Sequence, residues 1–253
     1  MDRLIYTALN SLGNLRGTQI VTAQNLANQN VPGFRRDTIG EGQSFILEDQ
    51  GRIEPRAFQI GRETAGFSDM SGFLNQTGEP LDIAIADKGW FYVQPDGGGA
   101  PALSRRGDLR VGLDGALVNG AGEAILNQGL QPIILPPFRK LVVDEVGTIS
   151  IEPMDGAPGE RIEVTTLATT LAPGANLIKG EDGQIRPATG PLPAPDQQAK
   201  VMQGALEGSN VNATEELISS IDLQRSFELN MRVVSTAKEL DEAGTRLLAM
   251  PEG

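Results

Sequence analysis

A chain of 253 residues with neither cysteine nor histidine cannot form disulfides, thiolate or imidazole metal sites, or a Ser-His or Cys-His nucleophilic pair. Its net charge of −12 argues against a nucleic-acid partner, because phosphate binding needs a basic surface. Hydrophobic residues at 39% suffice for a folded core, while 31 glycines and 16 prolines with few aromatics predict a turn-rich, β-rich protein.

The charge is uneven. Residues 1–40 carry four basic and two acidic side chains, 41–199 twelve and twenty-two, and 200–253 five and nine. Ends of opposite sign favour their own pairing, and the acidic middle reads as a solvated surface. No apolar run of about 18 residues occurs, so no membrane insertion is expected. The opening MDRLIYTALNSL lacks the basic start, apolar core and cleavage site of a secretory signal.

In chain order, Met1, Ile5, Ala8, Leu12, Leu15, Gln19, Thr22 and Leu26 follow steps of three and four, the spacing of a helix face that meets another helix. Gly13 and Gly17 each cost about 1 kcal/mol of helix propensity relative to alanine, so this helix needs a partner. It ends in NLANQN and exits at Val31-Pro32-Gly33, because proline pushes its predecessor out of the helical region and glycine permits the turn. Amides crowded at such an end give directional contacts where apolar packing would allow sliding. Asn25 and Asn28 are therefore expected to fix the register of this helix end against its partner.

The middle is patterned for strands. Alternation in LDIAIADKGWFYV and KLVVDEVGTISIEP predicts strands, and Asp114-Gly115 and Asn119-Gly120 between apolar runs predict hairpins. Gly97-Gly98-Gly99 lacks the Lys-Ser or Lys-Thr of a phosphate cradle and reads as a hairpin tip. Arg105 and Arg106 could bind an acidic partner, but a solvated strand edge is the better reading. Asp69, Glu79, Asp82 and Asp87 are close in sequence, but adjacent glycine and proline favour turns over a glycosidase carboxylate pair. No catalytic residue, cofactor or metal ligand is assigned. Pro-rich ATGPLPAPDQQ reads as an extended connector.

The last arm begins at Asn212, with Glu215 three residues on as in a capping box. Leu217, Ile221, Gln224, Phe227, Met231 and Val234 give one helix face. A second row runs through Val233, Ala237, Leu240, Gly244 and Leu247, and two rows make a stripe broad enough for more than one neighbour. Gln224 and Arg225 read as a polar helix face paired within the helix with Asp222 or Glu228.

Three blocks in order, AQNLANQNVPGF, TGEPLDIAIADKGWFYV with LSRRGDLRVGLDGALVNGAGEAIL, and LEGSNVNATEELISSIDLQRSFELN, resemble the flagellar axial proteins of the rod and hook over nearly the whole chain. Length and the opening MDRLIYTA look most like the proximal rod type. The resemblance implies an α+β fold: a central β-rich domain of antiparallel hairpins, flanked by N- and C-terminal helices that pair in a coiled-coil-like core. Its implied divisions are an assembly helix and exit turn over 1–34, a connector over 35–75, the β-rich domain over 76–199 and an assembly helix over 200–253. It further implies polymerisation with copies of itself and other rod proteins, export by the flagellar type III apparatus, and a periplasmic rod that passes close to peptidoglycan. The implied interface is Asn25, Leu26, Asn28, Pro32, Gly33 and Phe34 at one end and Asn210, Val211, Asn212, Gln224, Arg225 and Phe227 at the other, with Leu217, Ile221, Met231 and Val234 on the same helix. A distal rod or hook-type protein is the near alternative. A non-flagellar scaffold or adhesin with coiled-coil arms is the distant one, and it would form stable closed oligomers in isolation.

Overall fold

The computed structural model describes residues 2–39, 44–49, 52–59, 66–157, 159–180 and 182–248. Met1 lies outside the described residues, as do the side chains of Ile5, Ala8 and Leu247. The chain divides into two units. One comprises Met1–Ala27, Asp37–Thr64 and Asn212–Gly253; the other comprises Asn28–Arg36 and Ala65–Val211.

The first unit is built on α1 (Asp2–Ala27) and α2 (Ala213–Leu248), which touch one another, with an antiparallel hairpin of Ser44–Asp49 and Arg52–Gln59. Neither helix is long and apolar enough to cross a membrane. On α1 the predicted face is partly the inward one: Thr22 is buried and Leu12, Leu15 and Leu26 are half-buried, but Gln19 is exposed while Gly17 and Asn25 are buried.

The second unit is the β-rich one. Its largest sheet runs in the order Leu177–Lys179, Ile185–Pro187, Ala102–Ser104, Trp90–Gln94, Ala124–Ile125, Leu117–Asn119, Leu109–Val111, with Thr169–Thr170 also paired to Trp90–Gln94. A separate meander joins Phe138–Val143, Thr148–Pro153 and Ile162–Thr166. The predicted Asp114-Gly115 turn closes one of these pairs, with Gly115 at φ 81° between Leu109–Val111 and Leu117–Asn119, and Gly147 at φ 91° turns the chain between Phe138–Val143 and Thr148–Pro153. The glycine triplet lies between Trp90–Gln94 and Ala102–Ser104, with all three φ positive.

Trp90–Gln94 is buried on both faces, which its run WFYV permits because every side chain is apolar or aromatic. Phe91 and Val93 join a core with Ile83, Ile125, Ile149 and Leu167. Trp90 and Tyr92 join a second core with Leu103, Leu126 and Ile185. The Pro-rich connector is tied down: the Tyr92 hydroxyl donates to the Pro193 carbonyl at 2.6 Å and the Asp196 carboxylate accepts from the Leu171 amide at 3.1 Å. Burial pushes the Tyr92 phenol up to about 12, against the opposing hydrogen bond to Thr170 and with the help of Asp196. The neutral phenol is thus favoured by folding, and that stability is present below about pH 10 and lost as pH rises toward 12. Tyr92→Phe should cost about 1 kcal/mol at neutral pH and flatten that alkaline loss, as urea unfolding at neutral pH and about pH 11 would show.

The chain leaves this unit where it entered. Val201–Gln203 pairs antiparallel with Ile83–Ile85, and Ala205–Glu207 with Leu74–Gln76, so the final strands of the unit close against its first ones.

Candidate assembly interface

The exit turn after α1 is anchored by the returning strand. The Val31 amide donates to the Asn28 carbonyl at 3.1 Å and the Phe34 amide to the Val31 carbonyl at 3.2 Å, which folds Pro32 and Gly33 into a tight bend. Gly33 has φ +67° and donates its amide to the Glu207 carbonyl at 2.8 Å. Asn210 then bridges three segments. Its Oδ1 accepts from the Arg36 amide at 2.6 Å, its Nδ2 donates to the carbonyls of Ser68 at 3.1 Å and Met70 at 2.7 Å, and its own amide donates to the Phe34 carbonyl at 3.3 Å. Lys179 Nζ sits 3.9 Å from the Phe34 ring centroid and donates to the Arg35 carbonyl at 3.1 Å. Leu26, Asn28, Pro32, Phe34 and Val211 are all half-buried.

Beneath the turn lies a cluster of charge that the sequence did not reveal. Arg35 Nη2 is 3.0 Å from Glu207 Oε1, and Arg105 Nε is 2.8 Å from Glu207 Oε2, with all three side chains buried. Glu207 Oε1 also accepts from the Gly72 amide at 2.9 Å. Arg105 donates to the Gly89 carbonyl at 3.0 Å and the Asp87 carbonyl at 2.6 Å, and Arg35 donates to the Met70 carbonyl. The expectation that Arg105 belongs to a solvated strand edge is overturned: only Arg106 is partly open, paired with Asp108 at 2.7 Å. Burial draws Arg105 down to about 10, with Glu207 opposing and Arg35 adding to the fall, so it still carries its charge at neutral pH.

In the helical unit Asn25 is 1% exposed and its amide is used within the chain. Nδ2 donates to the Asp37 carbonyl at 3.0 Å, Oδ1 accepts from the Asp37 amide at 2.8 Å, and Nδ2 lies 3.4 Å from Glu216 Oε1 on α2. One side chain thereby pairs with a backbone unit as a strand neighbour would, and it also reaches the second helix. Asn212 caps α2 as expected, with Oδ1 accepting from the Thr214 amide at 3.1 Å and the Glu215 amide at 3.5 Å.

The two sides of α2 differ in chemistry. Its less exposed positions include Glu216, Ser219, Ser220, Leu223, Ser226, Asn230, Val234 and Ala237, mostly small or polar. Its large apolar side chains, Leu217, Ile218, Ile221, Phe227, Leu229, Met231, Val233 and Leu240, are 44–60% exposed. They form two rows flanking the inward side. Gln224 and Arg225 are exposed, and among the described residues Arg225 makes no ion pair. Leu9 and Ile20 are likewise exposed on α1. An isolated helix seldom leaves so much apolar surface in water unless another chain covers it.

Comparison with known proteins gives this surface a context. The family model described as flagellar basal body rod FlgEFG protein C-terminal matches residues 202–247, from the returning strand through most of α2. The chain is 31% identical over 256 residues to the flagellar basal-body rod protein FlgF of Salmonella typhimurium, covering 99% of this chain and 100% of that protein. It is 32% identical over 258 residues to FlgF of Escherichia coli, with the same coverage. FlgF of Rhizobium meliloti is 32% identical over 231 residues, 90% of each chain.

Proposed function

The chain belongs to the flagellar basal-body rod protein family, and from that premise we propose that it polymerises through its terminal helices as a subunit of the proximal rod. It is a structural rod subunit with FlgF-type relatives, which are structural proteins. The observation that carries the finer reading is the exposed double apolar row on α2. The interface of this reading comprises Leu217, Ile221, Gln224, Arg225, Phe227 and Met231 on α2, with Val234 at its inward edge, together with Leu26, Asn28, Pro32, Phe34, Val211 and Asn212. Paired terminal helices from successive copies bury the two rows in a coiled-coil-like core, and neighbouring rod proteins cover its ends. Asn25 acts from inside, holding Asp37 and α2 so that the arm offers one register. A shaft that transmits torque needs registry as well as adhesion.

In this reading the subunit passes through the flagellar type III apparatus, joins copies of itself and other rod proteins in the periplasm, and stands close to peptidoglycan. The coupling of helix packing to assembly has a physical basis. Ordering each residue of an arm costs about 1–2 kcal/mol of backbone entropy, and helix–helix burial between subunits offsets it at about 25 cal/mol per Å².

Phe227→Asp tests the reading. Phe227 is 44% exposed, so the purified subunit should keep its stability within about 0.5 kcal/mol, whereas burying a phenylalanine at an interface is worth about 1.5–3 kcal/mol. Incorporation into isolated basal bodies should fall by roughly 10- to 100-fold. Wild-type incorporation by the variant would overturn assembly through this face. A large loss of stability in the free subunit would show that the face is internal instead.

A further inference from the structure

A cavity of about 390 Å³ lies in the β-rich unit against the buried cluster, lined among others by Arg35, Asp69, Lys88, Trp90, Arg105 and Leu177. Its charge is unbalanced. Arg35 and Arg105 share one buried carboxylate, Glu207, while Lys88 and Asp69 stand at the exposed part of the lining. Three cations against two carboxylates leave one positive charge. Arg35 is 3% exposed and its Nε is buried with no hydrogen-bond partner, an N–H that desolvation makes costly to leave unmet. Among the described residues Lys88 has no charged partner.

The wall of the cavity adds an aromatic surface. Trp90, 4% exposed, has the Arg35 guanidinium carbon 5.6 Å and the Arg105 guanidinium carbon 5.9 Å from its ring centroid, with Phe67 edge-on at 5.9 Å. Two guanidiniums on one indole are held in place by packing as well as by Glu207, so the donors are pre-organised rather than free to swing out to water. A site with one surplus charge, buried guanidinium Nε atoms of Arg35 and Arg105 that make no hydrogen bond, and an exposed ammonium at its rim matches a monoanion of planar shape.

We propose that this cavity binds a carboxylate, held by Arg35 and Lys88 with Trp90 as its wall. A phosphate dianion would overcompensate the single surplus charge. The carboxylate can come from a free small acid or from an acidic side chain of a polypeptide, and the two sources separate experimentally.

Trp90 is the only tryptophan in the chain, so its fluorescence reports on the cavity directly. The full-length subunit would be titrated with acetate, with N-acetyl-glutamate α-amide as a side-chain mimic, and with the neutral N-acetyl-glutamine α-amide. A saturable change with the glutamate mimic and none with the glutamine mimic is expected. If acetate matches the glutamate mimic, the ligand is a free acid; if acetate binds much more weakly, it is a side chain. Lys88→Gln should weaken binding about two- to fivefold and Asp69→Asn should strengthen it by a similar factor, both at exposed positions that leave the fold intact. No saturable signal, an equal response to the neutral amide, or indifference to both variants would overturn the proposal. None of these outcomes depends on assembly of the rod, so failure here and failure of the assembly reading are separable.

Discussion

Glu207→Gln is expected to lower the stability of the β-rich unit by about 3–5 kcal/mol. The substitution keeps the size of the side chain but removes the one buried counter-charge of Arg35 and Arg105, whose contacts to it are 3.0 and 2.8 Å. What is lost is less the net worth of the ion cluster than the cost of two buried cations left uncompensated. For a chain of this size about 2–4 °C of Tm accompanies each kcal/mol, so calorimetry should show a fall of roughly 6–20 °C. The triple replacement Arg35→Met, Arg105→Met, Glu207→Leu should recover most of that loss, because well-packed apolar groups remove the desolvation cost together with the charges. A Glu207→Gln subunit that melts within 2 °C or so of wild type would mean that water reaches the cluster and the burial argument is wrong.

Gly33→Ala should be nearly as damaging, for a steric reason. A Cβ at this position would stand 2.3 Å from the Arg105 carbonyl carbon, 2.4 Å from its oxygen and 2.6 Å from the Arg106 nitrogen. All three are backbone atoms and cannot swing aside as a side-chain end could. The residue also holds φ +67°, in the left-handed region, which costs an L-residue about 1–2 kcal/mol, and the overlap adds about 1–3 kcal/mol more. The turn must then open, with the loss of the Gly33 amide bond to Glu207 and of the Asn210 bridge beside it. The expected loss is about 2–5 kcal/mol by urea unfolding. Faster hydrogen exchange at the amides of Gly33 and Arg36 should accompany it. Unchanged exchange at those two amides would show that the turn tolerates a side chain after all.

The two substitutions act on residues with very different legibility in the sequence. Gly33 stands out at once, because Pro-Gly after a helical stretch demands a turn whatever follows it. Asp114-Gly115 and the Asn212 cap were readable for the same reason: each is decided by a few neighbouring residues, through φ or a local hydrogen bond. Alternation marked the strands of LDIAIADKGWFYV, although it could not tell that Trp90–Gln94 would be covered on both faces. That depends on the Pro-rich connector lying over Tyr92, a contact made by residues about a hundred positions away.

Arg35, Arg105 and Glu207 gave no sign of their meeting. An arginine beside an arginine reads as surface wherever it occurs, because burial of a charge is permitted only by a partner that local pattern does not name. Asn25 is the same case in neutral form. An amide near a helix end can serve a cap, a neighbouring chain or the interior, and only the position of Asp37 and Glu216 directs it inward. The sequence by itself determined the order of helix, strands and helix, the turns between them and the absence of cysteine and histidine chemistry, since these follow from composition and short-range sterics. Tertiary structure alone decided which polar side chains are buried, which partners neutralise them and which apolar positions of α2 face out. Those outcomes are differences between desolvation and pairing that exist only once distant segments are brought within a few ångströms of one another.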